Sequence, residues 1–211
     1  YGSFSYLKYG AMRLYSQLAQ DCEWKVGKTI WVAGHSGPET AEDSRTHFGI
    51  FSPGTTQLFP EGHVINIHPW EYNEVPVMLA AAMKTDKPII ALHLTRPGVE
   101  IPDREARGMG SYKLAAKGAY ILRDYKDGVP KQGVVMVQGT MSTYNLIRAL
   151  DAIDKAGVNV KIVAIPSPQL FALQDEAYRN EVLSDGDRMN STYITNRSRR
   201  VMRDWVFNPL A

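Results

Sequence analysis

Short apolar runs alternate with longer segments of helical periodicity along this chain. The runs predict six buried strands, at residues 28–33, 63–68, 89–94, 119–123, 134–138 and 160–165. The periodic segments predict helices at residues 6–19, 71–84, 142–155 and 168–183, and residues 191–205 predict a strand followed by a basic helix. Unbroken apolar runs are typical of parallel sheets that are covered on both faces. We therefore predict an α/β fold with mainly parallel, helix-covered sheets.

The first predicted helix carries a stripe of apolar side chains. Leu7, Ala11, Leu14 and Leu18 recur at the spacing of one helix face within residues 6–19. This periodicity predicts an amphipathic helix, with the polar residues on its other faces.

The alternation of strands and helices is interrupted once. Residues 97–117 contain two prolines, three glycines and charges of both signs, with no clear period. Such a composition is typical of a connecting segment. We therefore predict two domains, at residues 1–96 and 118–211, joined by a linker at residues 97–117.

The composition limits the possible partners. Of the 211 residues, 44% are hydrophobic and 22% are charged, as in ordinary soluble globular proteins. The net charge of +2 gives no electrostatic argument for nucleic acid or a membrane surface as a partner. No apolar run approaches the ~20 residues that a membrane span needs. Cys22 is the only cysteine, which excludes an internal disulfide and favours a reducing compartment, the cytoplasm.

The polar loop at residues 34–47 is the first candidate for chemistry. It follows a predicted buried strand and contains His35, Asp43 and His47. Loops at the carboxyl ends of parallel strands commonly carry function, although a loop of this composition is also typical of a solvated surface. Two imidazoles and a carboxylate could bind a metal, but their spacing matches no compact ligand motif. They could instead bind a polar substrate and exchange protons with it.

Two further strand ends could support chemistry. Arg96 follows the third predicted strand, where it could form a surface ion pair or bind a phosphate. Gly139-Thr140 precedes a predicted helix, where the glycine could form a tight turn or help to hold an anion. The common nucleotide-binding glycine motifs and the CxxC motif are absent from the sequence.

Taken together, these stretches resemble the transketolase family. The loop matches the family's motif of a histidine, a Glu-Asp pair and a Thr-His pair at the same spacing. Further matches follow in the family's order along the chain: Gly2-Ser3-Phe4, Thr95-Arg96, Gln138-Gly139-Thr140, Ile165-Pro166-Ser167, Phe171 and Gln174-Asp175. The resemblance implies that residues 1–96 are the later part of a pyrimidine-type thiamine-diphosphate-binding domain. Residues 118–211 would then be an incomplete carboxyl-terminal domain of the transketolase type.

The resemblance also assigns roles to individual residues. It implies transfer of a two-carbon ketol unit between sugar phosphates, with thiamine diphosphate and Mg²⁺ as cofactors. His35 and Arg96 would hold the sugar phosphate, and Asp43 would orient the donor through the hydroxyl beside its carbonyl. His47 would lie beside the aminopyrimidine ring of the cofactor, and Phe4 would stack on that ring.

The sequence also departs from the family. Ser36 replaces the usual aspartate, and residues 38–41 replace the glycine-rich centre of the loop. The family's activating glutamate would lie before Tyr1, and the ligands of the metal and of the diphosphate would lie in another domain or subunit. We therefore expect a fragment that is inactive alone and that works in a homodimer or a heteromer.

Three alternatives stay open at this stage. Two lie in the same superfamily: a 1-deoxyxylulose-5-phosphate synthase and the β-subunit of an oxoacid dehydrogenase. The third is a non-catalytic assembly module that keeps the fold. Arg96 and the paired histidines favour the sugar-phosphate enzyme, the transketolase.

Overall fold

The computed structural model describes residues 5–34 and 51–208 of the chain. Within these ranges, the helices are α1 (Ser5–Asp21), α2 (Phe51–Thr56), α3 (Glu74–Lys84), α4 (Thr140–Arg148), α5 (Leu150–Lys155), α6 (Pro168–Ala172), α7 (Glu176–Val182) and α8 (Asp185–Met189). The strands are β1 (Thr29–Ala33), β2 (Val64–Ile67), β3 (Ile89–His93), β4 (Tyr120–Arg123), β5 (Val134–Gln138), β6 (Lys161–Ala164) and β7 (Ser191–Thr195). In the same ranges, 3₁₀ helices span Tyr112–Lys117 and Arg199–Trp205.

The first sheet contains three parallel strands in the order β1-β3-β2. The central strand β3 is buried along its whole length, as its unbroken apolar run predicts. Its pairing with β1 ends where Ala33 lies opposite His93, so the carboxyl ends of the two strands are adjacent.

The second sheet contains four strands in the order β4-β6-β5-β7. Strand β5 runs parallel to both β6 and β7, whereas β4 runs antiparallel to β6 at the edge. The prediction of an α/β fold with mainly parallel sheets is therefore confirmed, with β4 as an antiparallel edge strand.

One apolar core joins the two sheets. It contains Ile65 and Ile67 of β2, Met78 of α3, Val137 of β5 and Ile162 of β6. Each of these side chains is almost completely buried. Along the sequence, the strands of the first sheet precede residues 97–117 and those of the second sheet follow them. Within this segment, Met109 and Ala115 are also part of the core. The boundaries at residues 96 and 118 stay a prediction.

Two predicted helices are each divided in two. The predicted helix 142–155 consists of α4 and α5, which are separated at Ala149. The predicted helix 168–183 consists of α6 and α7, because the carboxylate of Asp175 accepts a hydrogen bond from the backbone N–H of Tyr178 at 2.7 Å and begins a new helix. The later basic segment is a 3₁₀ helix.

The predicted helix is confirmed as α1, but its apolar stripe is exposed at the surface of the described residues. Leu7, Leu14 and Leu18 are 77%, 69% and 52% exposed. The opposite side, which includes Tyr9 and Tyr15, packs against the small core around Trp31, Phe59 and Ile89. The stripe therefore contributes nothing to the core of the described residues.

The length and hydropathy of the helices show whether any of them could cross a membrane. Among residues 5–34 and 51–208, no helix is both long enough and apolar enough to cross a membrane.

Candidate functional site

The carboxyl ends of the first sheet form the candidate site, because parallel strands place their ends at one edge. Strand β1 ends beside His93, and the backbone N–H of Leu94 donates a hydrogen bond to the carbonyl of Ala33 at 2.8 Å. The chain that leaves β1 toward His35 therefore starts next to the chain that leaves β3 toward Arg96.

Arg96 is the one predicted site residue that falls within the described ranges. Its side chain is exposed on the segment directly after β3, where a charged ligand can reach it. Phe4, His35, Asp43 and His47 lie outside the described residues. Their positions and roles stay predictions.

Two buried histidines lie at this edge of the sheet. His68 follows β2 and His93 ends β3, and their rings stack with centroids 4.2 Å apart and planes inclined by 20°. His93 Nε2 lies 2.9 Å from Asn66 Oδ1. Because an amide oxygen can only accept, Nε2 of His93 carries the proton in this hydrogen bond.

Both histidines are neutral at physiological pH. Burial, followed by the positive charge of Arg197, lowers the pKa of His68 and that of His93 well below the ordinary range. The neighbouring ring of His93 lowers the pKa of His68 further. These rings therefore act through packing, and in His93 also through a hydrogen bond, rather than as charges.

Sequence reasoning did not give these two histidines a role. The signal was a polar residue at the end of each of two buried strands, at His68 and His93. Buried polar groups must find hydrogen-bond partners, so such positions are informative even without a motif.

A buried cluster of polar side chains joins the first sheet region to the second. Arg104 Nη2 donates to Glu71 Oε1 at 2.8 Å and to Glu74 Oε1 at 3.0 Å. The hydroxyl of Tyr120 donates to Glu74 Oε1 and accepts from Trp70 Nε1 at 3.0 Å. Arg104 Nη1 also donates to the Tyr120 hydroxyl at 3.0 Å, so the network is closed.

The same cluster determines where α3 begins. The sequence predicts a helix from Glu71, but the structure begins it at Glu74. The carboxylate of Glu71 accepts from the backbone N–H of Asn73 at 2.9 Å, and that of Glu74 accepts from the N–H of Trp70 at 3.0 Å. These contacts hold residues 70–73 in a turn before the helix.

Burial changes the acidity of this cluster. It raises the pKa of Glu74 from 4.5 to about 6, against the opposing effects of Arg104 and Tyr120. Because these side chains are buried among one another, we interpret the cluster as structural rather than as a substrate site. Removing one partner of such a buried ion pair typically costs about 3–5 kcal/mol.

The turn at Gly139-Thr140 is closely packed. Gly139 has φ +107°, and a Cβ atom there would lie 2.8 Å from Asn196 Oδ1. Thr140 is buried, with its hydroxyl 3.3 Å from the carbonyl of Pro69. Of the two interpretations of this glycine, the structure therefore supports the tight turn.

A groove of about 1640 Å³ lies between residues 54–62, Val64 and Asn66 on one side and residues 168–207 on the other. Its basic side chains, Arg179, Arg188, Arg200 and Arg203, are matched by the acidic side chains Glu61, Glu176, Asp185 and Asp204. Because this balance favours neither sign of ligand charge, we base the candidate site on the strand ends instead. Within the described ranges, no three His, Cys, Asp or Glu side chains form a metal-binding group.

Known proteins resemble this chain in sequence. Residues 118–208 match the family model described as a transketolase-like TK C-terminal domain. A transketolase of Geobacillus stearothermophilus is 32% identical over 156 residues, which are 73% of this chain and 22% of that protein. Transketolase 2 of Saccharomyces cerevisiae is 28% identical over 158 residues, or 74% of this chain and 22% of that protein.

Solved structures resemble the chain in fold. A Pichia stipitis transketolase in complex with sedoheptulose 7-phosphate superposes with a TM-score of 0.66 at 20% identity, over 100% of this chain and 32% of that one. A Leishmania mexicana transketolase gives a TM-score of 0.68 at 21% identity, over 93% of this chain and 27% of that one. The chain thus spans about a fifth to a third of the length of these relatives.

Proposed function

Since residues 118–208 match the transketolase-like C-terminal domain family, we propose that the chain is part of a thiamine-diphosphate-dependent transketolase. Such an enzyme is a transferase that moves a two-carbon ketol unit between sugar phosphates. The sequence similarity to the Geobacillus stearothermophilus transketolase extends over 73% of the chain, which supports the same function for the protein that contains it.

The observation that carries this proposal is the meeting of two strand ends. Ala33 lies opposite His93, and beyond these residues the chain continues toward His35 on one side and toward Arg96 on the other. A guanidinium fork and an imidazole that converge there would bind a phosphate through charge-assisted hydrogen bonds. The sugar phosphate bound by the Pichia stipitis transketolase is a ligand of this chemical class.

The remaining predicted residues complete the proposed site. Asp43 would orient the donor through a hydrogen bond to its hydroxyl, and His47 would exchange protons near the reacting carbon. Phe4 would stack on the aminopyrimidine ring, close to His47. When bound, thiamine diphosphate supplies the electron sink that two-carbon transfer requires. The ligands of its diphosphate and of Mg²⁺ would come from another domain or subunit.

The organisation of the whole protein is part of the proposal. Residues 1–96 would complete a pyrimidine-binding domain, and a diphosphate-binding domain or subunit would supply the other side of the site. The protein would work as a dimer in the cytoplasm. The outward apolar stripe of α1 supports a subunit contact, because exposed apolar surface of this kind commonly marks an interface.

The test is an assay of the complete protein that contains this chain. With thiamine diphosphate and Mg²⁺, it should transfer a two-carbon unit from a ketose phosphate to an aldose phosphate. The chain alone should give no transfer. Cofactor binding by the complete protein without any two-carbon transfer would refute the proposal in favour of another enzyme of the same superfamily. The lack of both cofactor binding and transfer would favour a non-catalytic module.

A further inference from the structure

His93 occupies the point where the three strands of the first sheet meet at their carboxyl edge. It lies opposite Ala33 of β1 in the parallel register. On the other side of β3, its ring reaches Asn66 of β2. The next residue, Leu94, donates its backbone N–H to Ala33 at 2.8 Å. Displacement of His93 would therefore shift the carboxyl ends of both β1 and β3.

The ring of His93 is held on two sides. Its Nε2–H donates to Asn66 Oδ1 at 2.9 Å, and its face stacks on His68 at 4.2 Å. Both neighbours are themselves tied to the chain around α6. The backbone N–H of Asn66 donates to Gln169 Oε1 at 3.1 Å, and that of His68 donates to the carbonyl of Pro166 at 2.7 Å.

The choice of residue at this position is informative. The four preceding residues of β3 are apolar and buried, and His93 is 1% exposed. A buried imidazole loses its hydration and recovers that loss only through its hydrogen bonds. An aliphatic side chain would serve packing equally well, so the imidazole provides orientation rather than burial alone.

From these contacts we propose that His93 is a positioning residue for the phosphate-binding edge of the sheet. Arg96 lies three positions after it, at most about 10 Å along the chain. Through β3 it fixes Arg96, and through its register with Ala33 it fixes the end of β1. This inference deepens the proposed function and rests on the phosphate-binding part of it.

The test compares three variants of the complete protein by calorimetric titration with inorganic phosphate. His93→Phe keeps a stacking ring but removes the hydrogen bond to Asn66. Because Arg96 is then held less well, the dissociation constant for phosphate should rise about tenfold, which corresponds to about 1.4 kcal/mol. His93→Gln can still donate to Asn66 and should stay within about twofold of the wild type. His63→Phe makes the same change before β2, at the other edge of the sheet, and should leave phosphate binding unchanged.

Steady-state kinetics then separate positioning from general destabilisation. In His93→Phe, the KM for a phosphorylated ketose donor should rise about tenfold, whereas kcat and the KM for a non-phosphorylated ketose stay near the wild-type values. If His93→Phe does not fold, Asn66→Leu removes the same hydrogen bond from the other side and should give the same result.

The outcomes distinguish the two proposals. Wild-type phosphate affinity in His93→Phe, or the lack of phosphate binding by the wild type, would overturn the positioning role. Weakened phosphate binding in a protein that performs no two-carbon transfer would instead refute the proposed function, and the positioning role would stand.

Discussion

The hydroxyl of Tyr120, at the start of β4, donates a hydrogen bond to the buried carboxylate of Glu74, at the start of α3. The two residues are 46 positions apart in sequence and belong to different sheet regions. Their contact therefore ties the fold of the first half to that of the second.

Removing this hydroxyl should destabilise the protein. Tyr120→Phe keeps the ring but leaves a buried carboxylate oxygen and the Trp70 Nε1–H with fewer partners, and we expect a loss of about 1–3 kcal/mol in the free energy of unfolding. Urea denaturation of the complete protein measures it. Tyr72→Phe, at a side chain that is 76% exposed, is the matched control and should change stability little. Equal stability of the two variants would contradict a structural role for the cluster.

Glu74 should also make stability depend on pH. Burial raises its pKa to about 6 from 4.5, so the folded protein binds this proton more tightly than the unfolded chain. The contribution of Glu74 to stability is therefore fully present below about pH 4.5 and is lost as the pH rises through about 6. Relative to Glu74→Gln, which cannot titrate, the wild type should lose about 2 kcal/mol between pH 4 and pH 7.

Urea denaturation at a series of pH values measures this loss. The same series on Glu105→Gln, a carboxylate at an exposed position, controls for the removal of a surface charge. A stability difference between wild type and Glu74→Gln that is constant with pH, or that grows in favour of the wild type as the pH rises, would contradict a raised pKa for Glu74.

Arg96 should bind the phosphate of the sugar donor. Arg96→Ala removes a charge-assisted contact worth about 1.5–3 kcal/mol, so the KM for a phosphorylated donor should rise about 10- to 100-fold. Initial-rate kinetics of the complete protein measure it. Arg107→Ala removes another exposed arginine from the segment that follows and should leave KM unchanged. An unchanged KM in Arg96→Ala would remove this residue from the phosphate site.

His47 should be required for transfer but not for folding. His47→Ala removes a group that exchanges protons near the reacting carbon, and two-carbon transfer should fall by about 10²- to 10⁴-fold. Thermal unfolding should give a midpoint close to that of the wild type. Full activity in this variant would contradict the assigned role.

The stripe on α1 should lie in a subunit contact. Leu14→Glu places a charge in the middle of the stripe, and burying that charge in an interface would be unfavourable, so the dimer dissociation constant should rise at least tenfold. Analytical ultracentrifugation of the complete protein measures this constant. Gln20→Glu adds the same charge on α1 outside the stripe and should not weaken the dimer. Equal association of both variants would exclude the stripe from the interface.

The strands and the fold class were accessible from the sequence because their signal is local. The apolar run at residues 89–93 predicts a buried strand without reference to the rest of the chain, and this is confirmed. The run at residues 28–33 also predicts a buried strand, but Ile30 and Val32 of β1 are 42% and 47% exposed, so that burial was predicted wrongly. The break at Ala149 was missed because the segment contains no proline or glycine there. The α1 stripe has the spacing of a helix face, but spacing alone does not say which side of a helix meets the core.

The buried cluster was inaccessible for a different physical reason. Glu71, Glu74 and Arg104 are charged, and charged residues are ordinarily exposed unless they are paired. Their pairing depends on contacts between residues 30 or more positions apart, which no local pattern encodes. Arg104 also lies in the stretch that the sequence predicts as a linker, where a buried guanidinium is unexpected.

The apolar core that passes from β2 and α3 into β5 and β6 limits how this region can be inherited or rearranged. A break in the gene between the two sheets would give two products, each with half of a core exposed to water. Exchange of either half between related genes would also require matching side chains on the other half. The two sheets should therefore be expressed, engineered and exchanged as one unit.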